Sequence, residues 1–392
     1  MSPEIQGDVD DGYGPVADAF RRNFVDGKEL GAAAAVVRNG ALVVDLWGGH
    51  RDRRRTAPWE RDTLVSVFSA SKGMTATAMA IAHSRGLFSL DEPVGTYWPE
   101  FAQGGKQAVT VRQLLDHEAG LAVVRRRPMR LRLMRDHDRL GEVLAAQRPS
   151  WEPGTARGYH PWTLGWYSSQ LLRRVDPLGR TVGQFVADEI SRPLGEEFHI
   201  GLPDELEERR ASIVGGHSWV QPFHPRSIPG PLLRGLMNPL SLTFKAMRSG
   251  ASGLTLQAVN KRSWLEVEMP SVNGTGTARA LARVYGDMAS GGAVLGVGQT
   301  TLAELERHRD PAPDRFFGVE SAYNCGFMKP FPALEFGSSS RAFGHPGAGG
   351  SFAFADPDTA TGYAYVMNRA GYSLPTDPRE ESLREALDRC PT

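Results

Sequence analysis

Two pairs of short apolar segments, one near each end of the chain, constrain the fold more than any other feature of the sequence. Residues 31–49 read GAAAAVVRNGALVVDLWGG. Asn39-Gly40 divides the two apolar runs and suits a two-residue type I′ turn, in which both residues take φ > 0. Near the other end, Ser351–Ala355 and Tyr363–Met367 flank the turn-rich stretch from Asp356 to Gly362. Each pair predicts adjacent antiparallel strands. The final segment, 378–389, has helical composition, and Asp377-Pro378 is a suitable start because proline fits the first helical turn.

The texture between these ends is different. Lys72 to Arg85 (KGMTATAMAIAHSR) carries little polarity on any face, as expected of a helix buried all round. Residues 110–120 suggest a short helix closed by a glycine, and 163–175 and 181–194 are further helical candidates. Residues 217–250 carry five prolines among scattered apolar residues. They read as a lid over a cleft or as a long wrapped connection, and less well as a membrane-contacting amphipathic segment. Strands at both ends and helices in the middle predict an α/β (α+β) protein. Residues 1–90 and 270–392 would form a discontinuous α/β domain with an antiparallel sheet flanked by helices, and 91–269 a mostly helical second lobe. A cleft between two such lobes is a natural small-molecule site.

Bulk composition removes several function classes. The 392 residues are 41% hydrophobic and 23% charged, with 45 basic and 45 acidic side chains. A net charge of zero gives no general attraction to nucleic acid or to an anionic membrane. The six arginines between Arg125 and Arg135 read as a solvated face of an arginine-rich protein. Cys325 and Cys390 stand far apart in no metal-like spacing, and no histidine pair has zincin spacing, so no metal site is expected. No run of about 18 apolar residues suggests a membrane span. Met1 to Tyr13 lack the basic and apolar parts of a secretory signal, so a cytoplasmic protein acting on a small molecule is expected.

Three elements carry chemistry. The first is Ser69-Ala70-Ser71-Lys72, the only S-x-x-K in the chain, at the start of the most apolar helix. Residues i and i+3 share a helix face, so the Lys72 amine can reach the Ser69 hydroxyl. Serine is a poor nucleophile without a base, and lysine serves as one only when burial lowers its pKa. With six lysines against 39 arginines, arginine would be the default cation at position 72. Only lysine can lose its proton near neutrality. The second element is Tyr159, in the loop WEPGTARGYHPW, where a phenol held against the lysine could move protons or simply anchor an aromatic loop. The third is FGHPGAGGS (Phe343–Ser351), leading into a strand. Its glycines allow close backbone approach, and the Ala348 N–H could join that of Ser69 in an oxyanion hole; a flexible strand entrance is the alternative. Asp116-His117-Glu118 looks metal-like, but three consecutive side chains do not aim at one ion, and His117 is expected to tie a helix end. Gly216-His217-Ser218-Trp219-Val220 is an incomplete G-x-S-x-G and is set aside.

Taken in order, Ser69/Lys72, Tyr159 and the His345/Gly347 box resemble the penicillin-recognising serine hydrolases, in particular the class C β-lactamase-like esterases. The phrases RGLFSLDEPVGTYWPEF, TVRQLLDHEAGL and FGHPGAGGSFAFADP resemble the same family. The resemblance implies a serine β-lactamase/DD-peptidase fold and an acyl-enzyme on Ser69, with no metal or organic cofactor needed. Lys72 and Tyr159 would manage protons, the Ser69 and Ala348 N–H groups would hold the oxyanion, and His345 and Gly347 would line the substrate. Two departures bear on the substrate. Pro161 stands where lactamases carry the asparagine of Y-x-N, and His345-Pro346-Gly347 stands where they carry K-T-G. Loss of a fixed cation favours hydrolysis of short- or medium-chain carboxylic esters over lactams, with an amidase or D-aminopeptidase, a weak β-lactamase or a non-catalytic relative as alternatives.

Overall fold

A computed structural model describes residues 4–125, 129–215, 228–250, 256–371 and 373–392. Its centre is an eight-stranded, wholly antiparallel sheet. The strands are β1 (Ile5–Val9), β2 (Gly31–Arg38), β3 (Ala41–Gly49), β4 (Tyr323–Asn324), β5 (Phe327–Met328), β6 (Phe343–Pro346), β7 (Phe352–Asp356) and β8 (Thr361–Met367). Their spatial order is β1-β3-β2-β8-β7-β6-β5-β4. The two predicted strand pairs therefore meet: β2 lies beside β8, with Arg38 opposite Thr361 and Ala32 opposite Met367. Asn39 and Gly40 take φ of 51° and 79°, as the hairpin turn requires.

Strand alternation sorts the β2 side chains between two cores. Ala33, Ala35 and Val37 join one apolar cluster, while Ala32, Ala34 and Val36 join the other. On the second face lie helix α1 (Gly14–Val25) and the C-terminal helix. On the first lie α2 (Ser71–Ser84) and the helix Ala278–Ala289, whose Gly286 crosses β8 at Gly362. A Cβ on Gly362 would sit 2.1 Å from the Gly286 nitrogen, so this helix–sheet approach needs glycine.

Helix α2 is buried from Ser71 to Ala82, as expected from its apolar sequence. Helix α3 (Thr163–Val175) has the predicted bounds. Residues 182–194 form one helical run with a π-turn at Ala187–Ser191, ending on Gly195 at φ +64°. The 110–120 expectation needs correction. That helix spans only Val111–Leu115, closed by His117 at φ +63°, and Gly120 belongs to the next turn. A reciprocal Thr110/Gln113 capping box starts it. Of segment 217–250, the described part holds α4 (Gly230–Met237) and α5 (Leu242–Arg248); Gly216–Val220 lies outside the described residues. Among the described residues no helix is long and apolar enough to cross a membrane.

Candidate active site

Ser69 sits in a 3₁₀ turn, Phe68–Ala70, that runs straight into α2. The residue before it, Phe68, is held at φ +51°. A non-glycine residue there costs of order 1–3 kcal/mol, so surrounding bonds must impose it. They are present: Ser71 Oγ donates to Phe68 O, Ala70 N–H donates to Val67 O at 3.2 Å, and Ser351 Oγ donates to the same Val67 carbonyl at 2.8 Å. Two chain ends thus lock the serine's turn, one of them the third sequence motif.

Lys72 is fully buried. Its Nζ lies 3.2 Å from Ser69 Oγ and 2.9 Å from each of the carbonyls of Pro161 and Ser271. The contacts include no carboxylate, and burial alone pushes the amine well below its ordinary pKa. A neutral amine has two hydrogens and one lone pair. The two carbonyls take the hydrogens, which leaves the lone pair for the Ser69 hydroxyl. Pro161, read from sequence as a missing asparagine, contributes here through its carbonyl. Ser271 carried no sequence signal. Its Oγ accepts from Gly165 N–H at 2.7 Å, which fixes the carbonyl that Lys72 needs.

Tyr159 is 6% exposed, lining the same cavity as Ser69, with its ring under the Lys72 amine, 4.7 Å from Nζ to centroid. Burial raises its pKa well above the usual phenol value, so it is a protonated donor at neutral pH. The loop is anchored by groups that the sequence reading missed. The buried Asp314 carboxylate accepts from the N–H groups of Tyr159, Phe316 and Phe317 and from Ser321 Oγ. Next door, His160 Nε2 accepts from Leu121 N–H at 2.8 Å, which places its hydrogen on Nδ1. That hydrogen faces His117 Nδ1 at 3.1 Å. Burial lowers His160 to about 3 and His117 well below its ordinary value, so the pair is neutral. His117 thus ties a helix end, as expected, and also braces the tyrosine loop. Its neighbours pair with arginines: Asp116 lies 2.9 Å from Arg309, and Glu118 lies 3.5 Å from the same Arg309 and 3.4 Å from Arg157.

The His345–Ala348 box lies along the same cleft. His345 is 1% exposed, and burial, with a smaller effect of Lys72, lowers its pKa to about 3. Its Nδ1–H donates to Pro346 O at 2.7 Å, and Nε2 has no partner among the described residues. It is a neutral wall. Gly347 packs so closely that a Cβ would meet Val67 O at 2.2 Å. Neither the Ser69 nor the Ala348 N–H is spent on another backbone group among the described residues. Ser69, Tyr159, His345, Gly347 and Ala348 share one cavity of about 210 Å³ whose wall is almost wholly apolar, with Phe68, Trp162, Phe316 and Phe317 prominent. Among the described residues Glu320 is the one carboxylate lining it, and no lysine or arginine does.

Known proteins similar to this chain are named as esterases, β-lactamases and penicillin-binding proteins. The chain is 34% identical over 371 residues to the esterase/beta-lactamase LipL of Mycobacterium tuberculosis, covering 93% of this chain and 83% of that one. A crystal structure of a family VIII carboxylesterase superposes with a TM-score of 0.89 at 37% identity, over 99% of this chain and all of the other. A penicillin-binding protein homologue from Caulobacter crescentus superposes with a TM-score of 0.87, also at 37% identity, over 98% and 99% of the two chains. The family model described as Beta-lactamase matches residues 16–387, and the chain belongs to that family.

Proposed function

We propose that the protein is a serine carboxylesterase that hydrolyses short- or medium-chain carboxylic esters through an acyl-enzyme on Ser69. The observation that carries this reading is the buried, carboxylate-free amine of Lys72 at 3.2 Å from the Ser69 hydroxyl. Lys72 takes the hydroxyl proton as Ser69 Oγ attacks the ester carbonyl. The N–H groups of Ser69 and Ala348 receive the developing oxyanion. Tyr159 gives its phenolic proton to the departing alkoxide and recovers one from the Lys72 ammonium. Water then attacks the acyl group, its proton passing to the same pair, and Ser69 regains its own. His345 and Gly347 shape the wall that the acyl group meets. The discontinuous division at 1–90 with 270–392, against 91–269, belongs to the same reading. It is supported by a main sheet that draws strands only from the two chain ends.

The choice of ester over lactam or peptide rests on charge. A penicillin or a D-alanyl terminus presents a carboxylate, and among the described residues the cavity lining offers no lysine or arginine to it. The name of the family VIII carboxylesterase supports the same choice, whereas that of LipL, esterase/beta-lactamase, covers both activities. The test compares p-nitrophenyl esters, a D-alanyl amide and a chromogenic cephalosporin on wild type and Ser69→Ala. Ester turnover that exceeds the others and vanishes in the variant is expected. Retained turnover in Ser69→Ala removes the serine from the mechanism, and preference for the amide or cephalosporin reverses the substrate assignment.

A further inference from the structure

Helices α4 and α5 form a hairpin whose two sides differ in chemistry. Its inner side belongs to the cavity: Leu232 and Met247 line it. Thr243 Oγ1 donates to Phe316 O at 2.7 Å, and Trp162 Nε1 donates to Met247 O at 3.1 Å, so the hairpin is tied to the aromatic wall beside Ser69. Its outer tip is apolar and open to water. Met237 is 74% exposed and Leu240 80% exposed. Only five large apolar side chains are exposed among the described residues, and two of them stand three positions apart on this turn.

Charge is segregated here as well. Between 228 and 250 the chain has three cations, Arg234, Lys245 and Arg248, all exposed, and no acidic residue. None of the three forms an ion pair among the described residues, whereas arginines elsewhere on the surface are widely paired with carboxylates. Arg248 lies over the Phe244 ring, and Lys245 donates to Leu240 O at 2.7 Å, which holds its charge at the tip. An aliphatic tip flanked by unpaired cations is the pattern of a segment that inserts at the boundary of an anionic lipid surface. The tip projects, rather than forming a groove for a protein segment, and its charge complements lipid phosphate.

We propose that the α4–α5 hairpin docks the protein on negatively charged lipid surfaces, with Met237 and Leu240 inserted and Arg234, Lys245 and Arg248 against the headgroups. If the esterase reading holds, docking brings the cavity toward a layer into which apolar medium-chain esters partition. Docking itself needs no catalysis and is measured independently of it.

The test is co-sedimentation of the full chain with vesicles of phosphatidylcholine alone and of phosphatidylcholine with phosphatidylglycerol, at low and high salt. Binding to the phosphatidylglycerol vesicles that weakens with salt is expected. Met237→Ser/Leu240→Ser lowers partitioning by about tenfold or more while leaving thermal stability and turnover of a soluble p-nitrophenyl ester unchanged. Arg234→Gln/Lys245→Gln/Arg248→Gln removes the preference for phosphatidylglycerol. Wild type that stays in the supernatant at low salt overturns the proposal, as does undiminished binding by the Met237/Leu240 variant. Light scattering that finds a dimer dissolved by the same variant, with no vesicle binding, makes the occupant a second copy and also overturns it. Loss of soluble-ester turnover in wild type would instead sink the esterase reading and leave the vesicle result standing.

Discussion

Gly347→Ala places one methyl group between the third motif and the nucleophile's turn. The added Cβ would lie 2.2 Å from Val67 O and 2.4 Å from Ser351 Oγ, with Ala70 N at 3.3 Å. Real Cβ contacts essentially never fall below 3.0 Å, so the first gap must open by at least 0.8 Å. The Ser351 hydroxyl cannot simply swing away, because it donates to the same Val67 carbonyl. Residues 347–348 and 67–70 therefore move apart, carrying the Ala348 and Ser69 N–H groups with them. Displacement of about 1 Å at a reacting centre costs on the order of 10²-fold in rate, and loss of one oxyanion donor about 10²–10³-fold. Overpacking costs about 1–3 kcal/mol of stability, so the variant should still fold. The assay is steady-state hydrolysis of a p-nitrophenyl ester beside urea unfolding. Gly298→Ala serves as control, since its Cβ would meet nothing within 4 Å. The expected result is a fall of about 10²-fold or more in kcat with a modest change in KM. A kcat within about threefold of wild type in folded Gly347→Ala would refute the oxyanion reasoning, because so tight a site cannot absorb the methyl without moving its donors.

Lys72→Arg keeps the charge but cannot release a proton, so turnover should fall by about 10²–10⁴-fold and no acyl-enzyme should accumulate in mass spectra. In wild type the active amine is neutral. Turnover should therefore fall on acidification only below the lowered pKa of Lys72, and a rate that rises only near pH 10, the ordinary lysine range, would contradict that state. Tyr159→Phe removes the phenolic proton and should cost about 10²–10⁴-fold; near-normal rates would leave the ring as packing alone. Asp314→Ala leaves three N–H groups and a hydroxyl without their buried acceptor, each worth about 1–3 kcal/mol, so denaturant unfolding should show a loss of about 3 kcal/mol or more. His160 stays neutral in the native state down to about pH 3, whereas the unfolded chain binds its proton near 6.5. Stability contributed by the neutral ring is intact above that upper value and drains away as pH falls between the two. His160→Gln should flatten this acid loss by about 1.4 kcal/mol per pH unit, measured by urea unfolding across the window, and an unchanged slope would count against the neutral pair.

Local order in the chain determined the strand pairs, α2, α3 and the C-terminal helix, because period and turn chemistry are properties of neighbouring residues. Asn39-Gly40 names its own turn, and the S-x-x-K spacing puts Ser69 and Lys72 on one helix face wherever that helix lies. The error at 110–120 has the same origin, since a left-handed histidine ends the helix where only glycine would have been read as a stop. The proton state of Lys72 was decided elsewhere. It depends on carbonyls 89 and 199 residues away in sequence, which take its two hydrogens, and on the removal of water by packing. Asp314, Ser271 and the His117–His160 pair were invisible for the same reason: their effect on the site is exerted through contacts between distant segments. Hydroxyl and amine are brought together by the pitch of a helix, but the electrostatics that make one a base for the other come from burial, and burial is a property of the folded whole.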